Sequence, residues 1–264
     1  MKNILVPVGT SPNAVKTLQY AIDFATDFYC DVYVMQAYTV FATMGMNSSH
    51  EAVSKSSTYQ LDEVISAIDT KDVQIKKLTF EGGVLEAIQK IDQELWVDLI
   101  VIEPKSIDIR DEVYLGKTTG SIIKQTNIPT LIVPEDYKHH PITSILTAFK
   151  SGIVKNRIQL VPLKEVKEKY DATVELLLVK TPGYEEEDLL VDSGLKELGN
   201  GLTTVESATT FQGILQHIQQ LNPEMLCVFR RKRGFFSKLL EKNVILKREF
   251  HCSIPLLVLP VKKY

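Results

Sequence analysis

The stretch from Val97 to Pro134, VDLIVIEPKSIDIRDEVYLGKTTGSIIKQTNIPTLIVP, occurs a second time from Pro223 to Pro260 as PEMLCVFRRKRGFFSKLLEKNVILKREFHCSIPLLVLP. The two copies superpose without a gap. Asp98-Leu99-Ile100-Val101 falls on Glu224-Met225-Leu226-Cys227, and Ile128 to Pro134 falls on Ile254 to Pro260. Each copy is a short apolar run, a polar loop, a helix-like segment and a second apolar run entered through Ile-Pro. Unbroken apolar runs of this length read as parallel strands covered on both faces. The loop between them leaves the carboxyl end of a strand, where open α/β sheets place their ligands. A repeat near half of 264 residues is domain duplication, not a solenoid.

The rest of the chain fits that frame. Asn3–Val8 reads as a first strand, and the turn Gly9 to Asn13 leads into a helix capped by Asn13 or Ser11, with Val15, Leu18, Ala21, Ile22 and Ala25 at helical spacing. Asp31–Tyr38 is a strand, Thr39 to Lys55 a loop, and Ser56–Ile68 an amphipathic helix. Val73–Phe80 is a strand, and a helix runs from the Glu81-Gly82-Gly83 turn through Trp96. After the linker Glu135–Pro141 the pattern restarts with Ser144–Phe149, set upon Asn3–Val8. Then come a helix over Asn156–Tyr170 carrying Pro162, a strand over Thr173–Thr181, an acidic-fronted helix over Glu185–Leu198, a strand over Thr203–Thr210 and a helix over Gln212–Leu221. Alternating strands and helices predict two tandem, doubly wound α/β domains with parallel sheets, over 1–135 and 142–264.

Composition narrows the function classes. A net charge of -3 argues against wholesale nucleic-acid binding. No apolar run approaches the roughly 20 residues of a membrane span, and no signal-like segment follows the short run ending at Pro7. Cys30, Cys227 and Cys252 are three in number, widely spaced and without a CxxC pair, so they read as small buried hydrophobes of a reducing cytoplasm. No histidine stands at zinc-ligand spacing from any of them.

Read together, ILVPV at the start, DLIVI before a long loop, and a final helix running into IPTLIVP resemble the universal stress protein family in its tandem form, over nearly the whole chain. In the second half, RRKRGFF and IPLLVLP are similar to a tandem subgroup of it. The resemblance implies a five-stranded parallel sheet per domain, of the adenine nucleotide alpha hydrolase-like type. It also implies pairing of the domains through their last strands into an intramolecular pseudo-dimer, with Pro129–Val133 against Pro255–Leu259. The nucleotide-binding branch carries a phosphate loop after its fourth strand: Gly, two residues, Gly, nine residues, then Gly and Ser or Thr. Its glycines admit backbone N–H groups to phosphate oxygens, and the last pair opens a helix whose N-terminus favours anions. An Asp at the end of the first strand reaches the adenine moiety.

On this chain those four positions are Glu103, Ser106, Gly116 and Lys117, and Gly9 stands at the Asp position. Only Gly116 fits. Glu103 sets a carboxylate where a phosphate belongs, which repels it unless a metal or Lys117 intervenes. In the second half the positions are Phe229, Lys232, Lys242 and Asn243, with Lys150 at the Asp position, and none of the four is Gly. Both loops depart from the ATP-binding pattern, so binding of ATP or another adenine nucleotide is expected to be weak or absent.

Other motifs carry two readings each. Gly116-Lys117-Thr118-Thr119 imitates the end of a Walker A loop, but Asp111 stands where that loop needs its first Gly, and the run before it reads as loop. What remains is a helix N-terminus, either holding an anion or simply capped. Arg230-Arg231-Lys232-Arg233 with Lys238 and Lys242 is either an anion clamp or a solvated loop. Phe235 and Phe236 suit a sheet edge or domain interface better than a base stack. His139 and His140 read as solvated linker residues. His217 and His251 lack a neighbouring nucleophile and acid, so no hydrolase triad is supported. Glu185 to Asp188 reads as a helix start or a weak cation site. The expectation is a cytoplasmic, stress-responsive regulatory or binding module for a protein partner, with no catalytic or metal-ligating residues, or else a slowly hydrolysing ATP-binding protein using Gly116, Lys117, Lys232 and Lys242.

Overall fold

The computed structural model describes residues 1–9, 11, 13–39, 50–104, 112–230, 245–247 and 250–261. Two compact units result, Met1–Glu103 and Pro104–Tyr264. In the first, β1 (Asn3–Pro7), α1 (Ala14–Phe28), β2 (Asp31–Tyr38), α2 (His50–Ser66), β3 (Ile75–Glu81), α3 (Val84–Leu95) and β4 (Leu99–Ile102) alternate along the chain. All strand pairs are parallel, in the order β3-β2-β1-β4. The four residues of β4 are all buried, as an apolar run covered on both faces must be.

The second unit opens with β5 (Val113–Leu115), α4 (Lys117–Gln125) and β6 (Thr130–Ile132) of the first copy. The second copy follows as β7 (Ser144–Phe149), a 3-10 turn at Arg157–Leu160, α5 (Val161–Tyr170), β8 (Thr173–Lys180), a 3-10 turn at Glu186–Leu189, α6 (Ser193–Leu198), β9 (Gly201–Glu206), α7 (Thr210–Leu221), β10 (Met225–Phe229), β11 (Ile245–Leu246) and β12 (Leu256–Leu259). Strands β12, β10, β7, β8 and β9 lie side by side and parallel. This is the order of the first unit extended by one strand. Beyond β12 lies β6, antiparallel, with Leu256 opposite Ile132, Leu257 opposite Leu131 and Val258 opposite Thr130. The last strands of the two copies thus pair, which is why residues 104–134 cluster with the second copy.

Local chemistry explains most boundaries. Pro162 falls in the first turn of α5, where its missing N–H costs nothing. Asn156 caps the preceding 3-10 turn by accepting from the Ile158 N–H at 3.0 Å. Asn13 occupies the N-cap position of α1, yet its side chain makes no cap; the Ser11 hydroxyl instead accepts from the Asn13 N–H at 3.2 Å.

Several expectations need correcting. The stretch expected as loop over Thr39 to Lys55 already carries the start of α2, which runs from His50 and ends at Ser66. Glu185–Leu198 is not one helix. Glu185 and Asp188 close a capping box around the short 3-10 turn, the chain extends at Leu190, and Asp192 restarts a helix by accepting from the Gly194 N–H at 2.8 Å. The acidic run is therefore a turn that completes itself before any long helix can propagate. The segment before Gly116 is not loop, since β5 pairs with β11 as a small antiparallel ribbon. Of the linker histidines, His140 is exposed as expected, with Nε2 2.9 Å from the Tyr137 hydroxyl, while His139 is half-buried, with Nε2 3.4 Å from that of Tyr170. Tyr137 itself donates to the Glu224 carbonyl at 3.0 Å, which pins the linker to the start of β10.

Candidate functional site

Of the residues singled out in the sequence, Gly9, Glu103 and Lys150 lie just after the carboxyl ends of strands, where open α/β sheets place their ligands. In the first unit Gly9 follows β1 and Glu103 follows β4, and the two strands are parallel neighbours. Gly9 is exposed, and a Cβ built on it meets nothing within 4 Å. The space for a carboxylate at this position is present while the carboxylate is not. Glu103 is half-buried, with one carboxylate oxygen out of reach of solvent. Ser106 lies outside the described residues.

In the second unit Gly116 is the extended N-cap of α4, buried, with its carbonyl accepting from the Gly120 N–H at 2.8 Å. Lys117 and Thr118 are exposed in the first turn. A helix N-terminus with an uncapped first turn and a cation beside it is chemically suited to an anion.

The second copy has a different chemistry at the equivalent place. Lys150 is half-exposed at the end of β7. Beside it, the rings of Phe149 and Phe229 stack with centroids 5.4 Å apart and planes 13° from parallel, both almost wholly buried. Phe229, the last residue of β10, stands at the position where the resemblance asks for a glycine and carries a ring buried against that of Phe149 instead. Gly152 closes the neighbouring loop. Its N–H donates to the Asp188 carbonyl at 3.3 Å, and its own carbonyl accepts from the Asp192 N–H at 2.9 Å. These bonds strap residues 188–192 to the loop that follows β7. Arg157 adds an ion pair to Asp192 at 3.3 Å and a hydrogen bond to the Ser193 hydroxyl.

Arg230, the first residue of the basic run, is used inside the fold. Its guanidinium donates to the carbonyls of Lys124 at 3.0 Å and Thr126 at 2.8 Å, and to Asn127 Oδ1 at 3.3 Å. It caps the C-terminus of α4, where orphan carbonyls and the negative end of the dipole favour a cation. Burial holds its pKa below the ordinary value without threatening its charge. Lys232, Lys242 and Asn243 lie outside the described residues, as do Arg231, Arg233, Phe235, Phe236 and Lys238.

His217 Nδ1 lies 3.0 Å from the Gly213 carbonyl one turn back, and His251 packs edge-on to Tyr114. Cys30, Cys227 and Cys252 are buried thiols outside any disulfide. Among the described residues no three His, Cys, Asp or Glu side chains gather as a metal site, and no helix is long and apolar enough to cross a membrane. A cavity of about 300 Å³ lies at the amino ends of β7 and β8, between Ser144, Thr173, Glu175 and Pro223, the end of the sheet opposite the loops described above.

The sequence flagged the strand-end loops but missed three features that shape them. The Phe149–Phe229 stack was half-visible, since Phe229 stands opposite Glu103 in the repeat. The strap over β7 was hidden behind an acidic run that imitates a helix start. The Arg230 cap was hidden because its acceptors are backbone carbonyls more than a hundred residues away.

Parallel strands alternating with helices in this order define a doubly wound α/β fold. The sequence profile of the universal stress protein family matches residues 1–134, and the chain belongs to that family. In structure it is similar to a universal stress protein from Archaeoglobus fulgidus DSM 4304, with a TM-score of 0.69 at 16% identity over 99% of this chain and 98% of that one. It is also similar to a functionally unknown protein from Pseudomonas aeruginosa PAO1, with a TM-score of 0.57 at 12% identity over 99% of this chain and 92% of that one. At these identities the likeness is one of fold. No curated protein matches the chain in sequence.

Proposed function

We propose that the chain is a tandem universal stress protein, with copies over 1–135 and 142–264, that works as a cytoplasmic regulatory or binding module in stress response. Its second copy has given up the adenine-nucleotide site. The stacked rings of Phe149 and Phe229 carry this reading, because they occupy the strand ends with carbon where a phosphate loop must present backbone N–H groups. The strap held to Gly152 supports it from the neighbouring loop. Signalling then rests on a protein partner, and no residue is assigned a catalytic step.

A second reading keeps a nucleotide in the protein through the first copy. It is favoured by Gly116 at the start of α4 with Lys117 exposed in the first turn. In that reading Gly9 lines the adenine side, and Glu103 demands a magnesium ion between itself and the phosphates.

Thermal unfolding with and without magnesium ATP separates the two. A ligand at about 100 times its dissociation constant adds roughly 2.7 kcal/mol, several degrees in midpoint for a chain of this size. No shift in the native protein supports the first reading. A shift abolished by Lys117→Ala establishes the second. A shift abolished by Lys150→Ala, or by Lys232→Ala with Lys242→Ala, overturns the closed second copy.

A further inference from the structure

The cavity at the amino ends of β7 and β8 has a counterpart in the first copy, and there the place is filled by side chains. Ladder register fixes the correspondence. The Asn3 and Ser144 carbonyls accept from the N–H groups of Asp98 and Glu224, which are counterparts in the repeat. Asn3 faces Asp31, and Ser144 faces Thr173. Two residues on, Leu5 faces Tyr33 and Leu146 faces Glu175; Tyr33 in turn faces Lys76, and Glu175 faces Gly201. Asp31, Tyr33 and Lys76 thus correspond to Thr173, Glu175 and Gly201, all on one face of their sheets.

In the first copy this place supplies its own cation. The Lys76 ammonium donates to the Asp31 carboxylate at 2.7 Å and to the Tyr33 hydroxyl at 3.0 Å, and lies 4.8 Å from the centre of the Tyr33 ring. Asn3 Nδ2 donates to the Leu95 carbonyl at 2.6 Å, which closes the C-terminus of α3. The second copy lacks both donors. Gly201 stands for Lys76 and Ser144 for Asn3, while Leu221, the counterpart of Leu95, ends α7. The acceptors nevertheless remain. A Cβ on Gly201 would lie 2.4 Å from a Glu175 carboxylate oxygen, so the glycine gives that carboxylate its room. Among the described residues no cation or donor pairs with the Glu175 carboxylate, and no side chain donates to the Leu221 carbonyl.

We propose that this cavity binds a small primary alkylammonium, which returns to the second copy the charge that Lys76 supplies to the first. Its volume of about 300 Å³ lies at the small end of ligand pockets, with Leu146, Leu221 and Pro223 as apolar wall and Glu175, Ser144 and Thr173 as polar groups. Glu175 is half-buried, and a carboxylate withdrawn from water without a counter-ion favours a cation. The negative end of the α7 dipole adds to that field. The ammonium donates to Glu175 in a charge-assisted bond, and its hydrocarbon body lies against Leu221 and Pro223. Occupancy here is independent of whether either copy holds a nucleotide.

The probe is n-butylamine hydrochloride, the lysine side chain cut free of its backbone. Titrated into the isotopically labelled full chain at constant ionic strength, it is expected to give saturable amide NMR shifts centred on Thr173, Glu175, Gly201 and Leu221. Glu175→Gln keeps the shape without the charge and is expected to weaken binding by at least about tenfold. Gly201→Lys restores the ammonium within the chain and is expected to abolish the titration; it also serves should the glutamine variant misfold. Absence of a saturable shift in the native protein overturns the proposal. So does a shift that either variant leaves unchanged, or one that uncharged n-butanol reproduces at equal affinity, because the cavity then selects hydrocarbon alone.

Discussion

Leu131 and Leu257 occupy the same position in the two copies of the repeat and lie directly opposite each other across the β6–β12 pair. A residue facing its own counterpart marks a local two-fold axis, and both side chains are almost wholly buried. Because the pair is self-facing, each truncation removes the same contact. Leu131→Ala and Leu257→Ala are each expected to cost about 2–5 kcal/mol, as large-to-small core changes do. The double variant should fall short of the sum by roughly 0.5 kcal/mol or more, since residues in contact do not add. Urea unfolding of the two single variants and the double variant measures it, and strict additivity would refute direct contact.

Gly152 touches the backbone that straps it. A Cβ on it would lie 2.7 Å from the Cα of Val191 and 2.8 Å from the Leu190 carbonyl, neither of which can swing aside like a side-chain tip. Gly152→Ala is therefore expected to destabilise by about 1–3 kcal/mol, the usual range for overpacking. Faster proteolysis within 181–192 should accompany the loss. An unchanged unfolding midpoint would show that the strap is loosely held.

Replacing Arg230 by alanine leaves the carbonyls of Lys124 and Thr126 without their donor. Hydrogen bonds to a charged group contribute about 1.5–3 kcal/mol, and partial exposure of the guanidinium sets the expected loss near the lower end. Arg230→Lys should recover only part, because a point charge cannot span two carbonyls as the planar fork does. Exchange of the α4 amides reports the change locally. An alanine variant as stable as the native protein would place Arg230 among solvated charges.

Alkaline pH tests the buried acids. Burial raises the Cys252 thiol from 9.0 to about 11, and raises the Cys227 thiol further. The Tyr114 hydroxyl is pushed well above 10.0 by burial, and Tyr137 is raised to about 12 by the same cause. Each folded pKa exceeds its unfolded value, so above pH 9 the native state holds protons that the unfolded chain releases. Stability is thus unaffected by these groups below pH 9 and falls as pH rises beyond it, by up to about 1.4 kcal/mol per pH unit for each wholly buried thiol. Cys252→Ser should flatten the slope between pH 9 and 11, measured by urea unfolding. A flat native profile in that window would contradict the burial.

The core strands of the repeat were legible because they rest on patterns that burial dictates, whereas the pairing of the copies was legible only through the family resemblance. LIVI and MLCVF are apolar throughout, and strands covered on both faces have no alternative composition. Ser144–Phe149 and Asp31–Tyr38 were delimited to the residue. The breaks were less legible. Glu185 to Asp188 has the charge of a helix start, and nothing in it reveals that Asp188 will turn back on Glu185 and leave Leu190 extended. Glu103 and Phe229 stood out against the glycine that the resemblance implies, and the structure sets them at the ends of β4 and β10. Their surroundings were not legible: a ring stack and a guanidinium on distant carbonyls come from tertiary contacts that no local pattern records.

The β6–β12 seam also changes what a substitution can do. Where two separate half-length chains meet about a two-fold axis, every change appears on both sides at once, and a harmful one is felt twice. In a single chain the axis survives in the backbone while the two sides inherit independently. Glu103 can then stand where its counterpart is Phe229, and Gly9 where its counterpart is Lys150, without either choice being imposed on the other half. Fusion turns a symmetric pair into two specialists that keep a common scaffold.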